Sequence, residues 1–478
     1  MTKQEAAIKY ITENYLDYRR LRHDIVADKL QVRVAHSLED AALSGYSLEF
    51  KGGEYWREMT KHDINSIVCH CAQEYDANIT SREVMTALQS DLIPSVHPLR
   101  EYILSLPPYT PDQPDWIDWV ASQVRVKASP ASATDRPKGL SERTSCCQTT
   151  TLLDRPYGAD RPMNLTGEAD LTVSEANGLA SNSSQCERSN ADALWRQCFK
   201  KWFVAMVASW MKDEVVNHQV LVLIGRQGIY KTTWLEHLIP PHLRAYACKL
   251  ANSNDLNKDE RLRIAEFGLI SLDEIDSMNN RELNQLKSVI TATDVNERAA
   301  YAYTKERRVR LASFCASGNR RDFLTDITGN RRWLPFEVES IQNPFFTTLP
   351  YELMYAQAWA LVNDPTFSYW FDLDEIEVLE LHNQHFRDES NEEQLLPILF
   401  DVPAEGRGEF MTTAQISERL VTYGNIKKPM ALSRLGMVLG TAGYKATKRK
   451  IGNTQTRGWI VYQRDTDEIS ALRRILKD

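Results

Sequence analysis

The 478-residue sequence lacks long apolar runs, regularly spaced cysteines and an overall excess of positive charge. Because a membrane-spanning helix needs about 20 consecutive apolar residues, and no signal-peptide core is visible, we expect a cytoplasmic protein with no membrane partner. The eight cysteines have no regular spacing, which favours reduced thiols over a disulfide framework. The formal net charge of -8 excludes a globally basic protein, although local basic patches can still bind nucleic acid.

Length and composition together predict a multidomain α/β protein. The chain is longer than one ordinary hydrophobic core, and its hydrophobic and charged fractions of 42% and 26% are typical of globular proteins. One central stretch is dominated by Ser, Thr, Asn, Gly and Asp and buries too little apolar surface to become ordered. We predict an α+β domain at residues 1–127 and a disordered insertion or linker at 128–190. A core of alternating strands and helices follows at 191–365, then a helical connector at 366–404 and a small basic module at 405–478.

A phosphate-binding loop is predicted where an apolar strand meets a glycine-containing turn. The run Val220–Ile224 is fully apolar, as in a buried parallel strand, and a helical pattern follows until Pro240. In this context glycines let backbone N–H groups approach phosphates. Lys231 is expected to act catalytically on the β- and γ-phosphates of ATP, and Thr232 to bind Mg²⁺. The predicted nucleotide-binding residues are Gly225, Gln227, Gly228, Ile229, Tyr230, Lys231, Thr232 and Thr233.

Tyr230 stands where loops of this kind usually carry a glycine before the lysine. We expect this position not to need a positive φ, so that the loop can still close around a tyrosine. The tyrosine nevertheless puts the rate of hydrolysis in question. The alternative interpretation of the segment is a glycine-containing turn in which the Lys-Thr pair occurs by chance.

Two further strands end in polar residues that suit nucleotide chemistry. The apolar run 267–272 ends at Asp273 and Glu274, for which we predict Mg²⁺ binding and activation of the attacking water, respectively. The alternative is a strand that ends in an exposed acidic turn. The next apolar strand ends near Asn319, which we expect to contact the γ-phosphate or the lytic water.

Arg331 and Arg332 form an adjacent pair just before another predicted strand. They suit an arginine finger that reaches the ATP of a neighbouring subunit, a contact worth about 10³–10⁵ in rate. The alternative is a pair of solvated arginines at a domain edge. The two arginines complete the predicted catalytic set.

Basic and aromatic residues interleave over residues 298–308, as in surfaces that track a single nucleic-acid strand. The predicted contacts in this segment are Arg298, Lys305, Arg307 and Arg308. A solvated charged loop is the alternative.

The C-terminal module has a helix–turn–helix–hairpin pattern, which is typical of winged-helix domains. Every charged residue between Asn425 and Gly458 is positive, on a chain that is acidic overall. This local excess favours DNA binding, with Lys448, Arg449 and Lys450 as the predicted contacts. The alternative is a small protein-docking domain.

Four segments together resemble the virulence-associated protein E family. They are Gly-Arg-Gln-Gly-Ile-Tyr-Lys-Thr-Thr, Leu-Asp-Glu, Ser-Gly-Asn-Arg-Arg-Asp-Phe-Leu and Thr-Gly-Asn-Arg-Arg-Trp. The similarity is close over residues 191–365 and extends to the N-terminal region and to a C-terminal module of Bacteroides-type mobile elements. Members of the family are ATPases of phages and mobile genetic islands, similar to superfamily 3 helicases and poxvirus-type primase-helicases.

The resemblance implies an AAA+-like P-loop ATPase core, ATP and Mg²⁺ as cofactors, and a ring-shaped homo-oligomer such as a hexamer. We therefore predict a DNA-dependent ATPase, either a replicative helicase or an initiator of a phage or mobile element. Its expected partners are single-stranded or forked DNA and a primase or polymerase. The alternatives are a nucleotide-gated DNA-binding switch and a loader or scaffold with little unwinding activity.

Overall fold

The computed structural model describes residues 2–35, 55–127, 173–250, 258–297, 306–324, 330–403, 408–451 and 454–475. Within these ranges, no helix is both long and apolar enough to cross a lipid bilayer. An N-terminal region, a central sheet and a C-terminal module follow one another along the chain, each with its own hydrophobic core. The mixed α/β architecture with several sheets confirms the predicted fold class at this level.

The N-terminal region packs helices against a four-stranded sheet. Its elements are α1 (Lys3–Ile11), β1 (Leu21–Asp24), β2 (Lys29–Ala35), β3 (Tyr55–Glu58), α2 (Lys61–Tyr75), α3 (Ser81–Leu88) and β4 (Ser95–Val96). The strand order is β3-β2-β1-β4, and only the β1–β4 pair of this sheet is parallel. Capping boxes start all three helices; at α1, for example, Thr2 and Glu5 satisfy each other's backbone N–H groups.

A six-stranded sheet of order β5-β12-β6-β11-β8-β7 forms the centre of the molecule, and all its pairs are parallel except β5 with β12. The strands are β5 (Val124–Val126), β6 (Val220–Ile224), β7 (Ala247–Leu250), β8 (Leu269–Leu272), β11 (Ser313–Gly318) and β12 (Trp333–Ile341). A separate antiparallel pair consists of β9 (Asp294–Glu297) and β10 (Glu306–Val309). The helices of this region are α4 (Pro98–Ser105), α5 (Trp116–Ala121), α6 (Val173–Met211), α7 (Lys231–His237), α8 (Lys258–Glu266), α9 (Asn280–Thr291), α10 (Tyr351–Val362) and α11 (Leu373–Gln384).

Helix α6 covers one face of the central sheet with three tryptophans. Trp195, Trp202 and Trp210 are fully buried. Their indole N–H groups donate to Ala121 O (2.9 Å), Phe314 O (3.1 Å) and Gly268 O (3.1 Å), so each ring is both packed and hydrogen-bonded. The helix begins at Val173, inside the range predicted as a linker, so residues 173–190 are helical. The rest of that range, 128–172, lies outside the described residues.

Two predicted domain boundaries fall in different places in the structure. Helices α4 and α5 and strand β5 come from the predicted N-terminal domain, yet their apolar residues belong to the core of the central sheet. The predicted connector 366–404 is also divided between two cores. Leu379 of α11 packs into the central region, whereas Leu396 packs into the C-terminal module. Both shifts arise because an apolar helix face joins whichever core is adjacent in space.

The C-terminal module places two helices before a long hairpin, in the predicted order. Its elements are α12 (Asn391–Leu399), β13 (Phe400–Asp401), β14 (Glu409–Met411), α13 (Thr413–Gly424), α14 (Leu432–Thr441), β15 (Lys445–Ile451), β16 (Thr454–Gln463) and α15 (Thr466–Ile475). Strand β14, which the residue pattern did not predict, pairs with β16 on the side opposite β15. The module packs around buried Leu420, Leu435 and Trp459.

Candidate functional site

Five parallel strands of the central sheet end at one edge, called the carboxyl edge below. Strands β6, β7, β8, β11 and β12 run in the same direction, so the loops that follow them meet there. Lys231, Asp273, Glu274 and Asn319 all come from these loops or their flanks. Ligands of open parallel sheets bind at this kind of edge.

The Lys231 ammonium is surrounded by oxygens that carry no full charge. Its Nζ donates to Gly225 O (2.8 Å), Arg226 O (2.7 Å) and Asn319 Oδ1 (3.3 Å). The residue is 7% exposed, and burial lowers its pKa although Asp276 and Asp273 act in the opposite direction. Within the described ranges no carboxylate forms an ion pair with it. A buried cation in this state is stabilised by any anion that can reach it.

Thr232, Ser317 and Asp273 form a hydrogen-bonded triangle beside Lys231. Thr232 Oγ1 donates to Asp273 Oδ1 (3.2 Å) and lies 2.9 Å from Ser317 Oγ, which itself donates to Asp273 Oδ1 (2.7 Å). The second carboxylate oxygen, Oδ2, lies 2.9 Å from Lys249 Nζ. The prediction named Thr232 and Asp273 but missed Ser317 and Lys249. Ser317 had a visible signal, since it directly precedes the Gly-Asn pair that ends β11.

The Asp273 carboxylate is held in its ionised form. Partial burial raises its pKa, but hydrogen bonds from Lys249, Ser317 and Thr232 outweigh burial, and the pKa is lowered overall. Among the residues that the structure describes, no group of three His, Cys, Asp or Glu side chains could hold a metal by itself. A divalent cation here would use the Thr232 and Asp273 oxygens together with oxygens of a ligand or water, which is the ligand chemistry that Mg²⁺ prefers.

Three residues of the loop 225–230 have positive φ: Gly225 (156°), Gly228 (84°) and Tyr230 (67°). A Cβ on Gly225 would lie 2.9 Å from Val338 O, so glycine is required there. The expectation that Tyr230 needs no positive φ is wrong, because its φ of 67° and ψ of 18° place it in the left-handed helical region. The loop has a backbone conformation at this position that glycine adopts without strain. For a tyrosine, this conformation costs roughly 1–2 kcal/mol of conformational free energy.

The other predicted loop residues lie beside Lys231 along the backbone. Gln227 is exposed, whereas Ile229 and Thr233 are half-buried. The Thr233 carbonyl accepts a hydrogen bond from His237 Nδ1 (2.7 Å), which belongs to the next turn of α7.

Glu274 is a second residue with strained backbone at this edge. It is exposed, with φ 52° and ψ 48°, directly after Asp273. Asp276, which the sequence analysis did not single out, accepts hydrogen bonds from Asn319 N (3.2 Å) and Arg320 N (3.0 Å). Asp276 thereby holds the turn that brings Asn319 next to Lys231. Strained residues that persist in a fold often mark functional sites.

Arg331 and Arg332 lie at the opposite edge of the sheet. Trp333, the residue after Arg332, pairs with Val220 at the start of β6. The loop 225–230 instead follows Ile224, at the other end of β6. At about 3.3 Å per residue, the two ends of β6 are roughly 13 Å apart. The arginines therefore do not join Lys231 within one chain.

Side-chain amides of a buried asparagine and a half-buried glutamine hold the turn that carries the two arginines. Asn383 Nδ2 donates to Asn330 O (2.8 Å) and Trp333 O (3.0 Å), and the Gln219 amide faces Arg331 O (2.8 Å) and Arg332 O (3.2 Å). These bonds use only the backbone of the arginines. In the described part of the chain, neither guanidinium forms an ion pair.

The predicted basic segment near residue 300 is only partly described. Arg298 and Lys305 lie outside the described residues, but strands β9 and β10 on either side pair as the arms of a hairpin. Arg307 is exposed and pairs with Asp294. Arg308 is mostly buried between Asp28 (2.6 Å) and Glu266 (3.4 Å). Arg308 therefore links the N-terminal region to the central one, and its charge is not open to a nucleic-acid strand.

Lys448, Arg449 and Lys450 are exposed along β15 of the C-terminal hairpin. Lys448 lies opposite Arg457 of β16, and the Arg449 guanidinium lies 5.3 Å from the Phe410 ring centre. None of these four cations forms an ion pair with another described residue. The hairpin therefore presents a concentrated positive charge to solvent.

Comparison with known proteins supports the family resemblance over the middle of the chain. Residues 171–388 match the virulence-associated protein E-like domain, a span that contains every predicted site residue from Gly225 to Arg332. No curated protein matches the chain. The apo structure of the NrS-1 C-terminal region is similar with a TM-score of 0.44 and 9% identity, over 96% of this chain and 99% of that one. The A-form apo structure of the same region has a TM-score of 0.38 and 10% identity, over 96% and 100%.

Proposed function

We propose that this chain binds ATP and Mg²⁺ at the carboxyl edge, hydrolyses the ATP, and couples hydrolysis to work on DNA during replication of a phage or mobile element. The observation that carries the proposal is the Lys231 ammonium, which is buried among neutral oxygens and has no carboxylate partner in the described chain. The triphosphate of ATP supplies the missing anion. Hydrogen bonds from Lys231 to the loop carbonyls then give way to bonds with phosphate oxygens.

The residues beside Lys231 fit a magnesium ion. Thr232 Oγ1 and Asp273 Oδ1 lie within hydrogen-bond distance of each other, and the Lys249 ammonium already places a positive charge against Asp273 Oδ2. This environment therefore accepts a cation. When bound, Mg²⁺ would neutralise charge that develops on the phosphates. Ser317 would orient the Asp273 carboxylate through its hydrogen bond.

Glu274 and Asn319 are assigned to the lytic water. Glu274 is exposed immediately after the proposed metal ligand, so its carboxylate can accept a proton from a water that attacks the γ-phosphorus. Asn319 Oδ1 already reaches the Lys231 ammonium at 3.3 Å, which puts its amide close to where the γ-phosphate would lie. The Asn319 amide would then position the water or the phosphate.

The arginine pair is assigned to the site of a neighbouring copy. Arg331 and Arg332 lie across the sheet from their own loop, and amides hold their backbone while the guanidinium groups carry no ion pair within the described ranges. A head-to-tail ring would present this edge of one subunit to the carboxyl edge of the next. The family resemblance, which implies a ring, favours the same arrangement.

Contact with DNA is assigned to the C-terminal module, which we interpret as a winged helix. Its hairpin carries Lys448, Arg449 and Lys450, whereas helix α14 exposes the apolar side chains of Leu432 and Met437. Phosphate contacts need cations rather than apolar groups, so the hairpin is the better candidate for the DNA-binding element. Arg308 is withdrawn from the predicted contacts because of its two ion pairs.

The experiment that tests this function is ATP turnover by the full chain with increasing single-stranded DNA, followed by strand displacement on a forked duplex. A DNA motor gives turnover that rises with DNA and displaces a strand. Turnover without displacement would instead support a loader. ATP binding with no turnover above that of Lys231→Ala would support a nucleotide-gated switch.

A further inference from the structure

Two exposed phenylalanines follow β12 on the same side as the nucleotide site. Phe345 is 70% exposed and Phe346 is 89% exposed, although most aromatic rings of the central region are buried. Because β12 runs parallel to β6, the segment after it reaches the carboxyl edge, where Val338 already touches the loop beside Gly225. Exposed apolar rings at a ligand-binding edge need an explanation.

The Phe345 ring forms one wall of a small aromatic cluster with the loop. Its centre lies 6.4 Å from that of Tyr230 and 5.7 Å from that of His237, both in edge-on geometry. Asn343 fixes this arrangement, since its Oδ1 accepts from Phe345 N (3.0 Å) and its Nδ2 donates to Tyr230 Oη (3.4 Å). The segment is therefore held in place by a turn.

The left-handed backbone of Tyr230 has a consequence for this cluster. A glycine at residue 230 would satisfy the φ of 67° without strain but would provide no ring to contact Phe345. Tyr230 is 39% exposed and directly precedes Lys231, so its ring is open to solvent beside the proposed phosphate site. Because the planes of the two rings are 81° apart, a planar ligand group attached to the phosphates would stack on one ring and meet the edge of the other.

We infer that Tyr230 and Phe345 form a stacking surface for the base of the bound nucleotide, in which the base stacks on the more exposed Phe345 ring and meets the edge of the Tyr230 ring. This inference rests on the proposed function, since it assumes a triphosphate at Lys231. Stacking of a base on an aromatic side chain changes affinity by about tenfold or more and needs no hydrogen bond to the base edge. The surface would thus determine how much more tightly a nucleoside triphosphate binds than triphosphate alone.

The test compares the affinities of ATP and inorganic tripolyphosphate, each with Mg²⁺, for the full chain by calorimetry. Phe345→Ala should weaken ATP about tenfold and leave tripolyphosphate within about twofold. Phe345→Trp should retain ATP binding because it keeps a planar ring. Tyr18→Ala is a matched control, since Tyr18 is an aromatic residue in the N-terminal region with 59% exposure.

Each other outcome overturns a specific claim. If Phe345→Ala weakens both ligands equally, or neither, the stacking surface is refuted while the phosphate site stands. A change in oligomeric state with an unchanged ratio of the two affinities would refute it in favour of a subunit contact. If the unmodified chain binds neither ATP nor tripolyphosphate, the proposed function itself fails, and the stacking surface fails with it.

Discussion

The Lys249 ammonium lies 2.9 Å from Asp273 Oδ2, on the side of the carboxylate opposite the Thr232 and Ser317 hydroxyl groups. The ion pair raises the pKa of Lys249 and contributes to the lowered pKa of Asp273. Lys249 comes from β7, whose residues pair with β8 in parallel register. A side chain of the protein thus places a positive charge against the carboxylate that we propose as a Mg²⁺ ligand.

Replacing Lys249 with alanine should lower the Mg²⁺ concentration needed for half-maximal ATP turnover by about two- to fivefold. The estimate follows from the 0.2–1 kcal/mol typical of exposed ion pairs, because Lys249 is about half exposed and competes with the metal for one carboxylate. A titration of turnover against Mg²⁺ measures the effect. Lys249→Arg, which keeps the charge, is the control, and an increased Mg²⁺ requirement in Lys249→Ala would instead indicate that Lys249 binds phosphate.

Glu274→Gly should stabilise the protein while abolishing turnover. The left-handed backbone of Glu274 (φ 52°) costs a residue with a Cβ about 1 kcal/mol or more, and glycine removes this cost. Thermal unfolding should therefore shift upward by a few degrees. Glu274→Gln keeps the strain and should lose turnover with an unchanged melting temperature. A destabilised Glu274→Gly variant would contradict the view that strain is stored at this residue.

An arginine finger from a neighbouring subunit predicts complementation between two inactive variants. Lys231→Ala should be inactive, and the double variant Arg331→Ala/Arg332→Ala should be nearly so. In a random equimolar mixture of the two, about one quarter of the sites combine an intact loop with an intact arginine pair from the adjacent copy. Turnover near that fraction of the unmodified level is expected. A mixture no more active than its components would refute the assignment in trans.

Removing the hairpin charges should weaken DNA binding and flatten its salt dependence. In Lys448→Ala/Arg449→Ala/Lys450→Ala, the slope of log affinity against log salt should fall by about 2, since each lost phosphate contact removes roughly 0.7. Fluorescence anisotropy with labelled single-stranded DNA at several salt concentrations measures this slope. Lys9→Ala, a change at an exposed lysine of helix α1, should leave it unaltered. An unchanged slope in the triple variant would support the protein-docking alternative.

In the central region, local residue patterns predicted which segments form strands and helices, but they did not predict which of these elements lie side by side. The apolar run Val220–Ile224 and the polar residues after it identified the strand and the edge where Lys231, Asp273 and Asn319 meet. Lys249 could not be predicted, because its contact with Asp273 depends on β7 lying beside β8. Parallel strand order is set by long-range packing, which a single sequence does not display.

Local residue patterns also did not predict the left-handed backbone of Tyr230, or that β5 belongs to the central sheet. A left-handed residue other than glycine is held by its surroundings, here the loop and the turn at Asn343, rather than by its own preference. Strand β5 comes from the N-terminal part of the chain, yet it completes the central sheet beside β12. A boundary drawn from composition therefore cuts through one hydrophobic core.

ATP binding and single-turnover hydrolysis should be measured for three forms of the full chain: unmodified, Lys231→Ala and Glu274→Gln. The unmodified chain should bind and cleave ATP with Mg²⁺, Glu274→Gln should bind ATP without cleaving it, and Lys231→Ala should bind ATP at least tenfold more weakly. Equal ATP affinity in the unmodified chain and Lys231→Ala would contradict the proposed function, because the buried ammonium would then not be the site of the triphosphate.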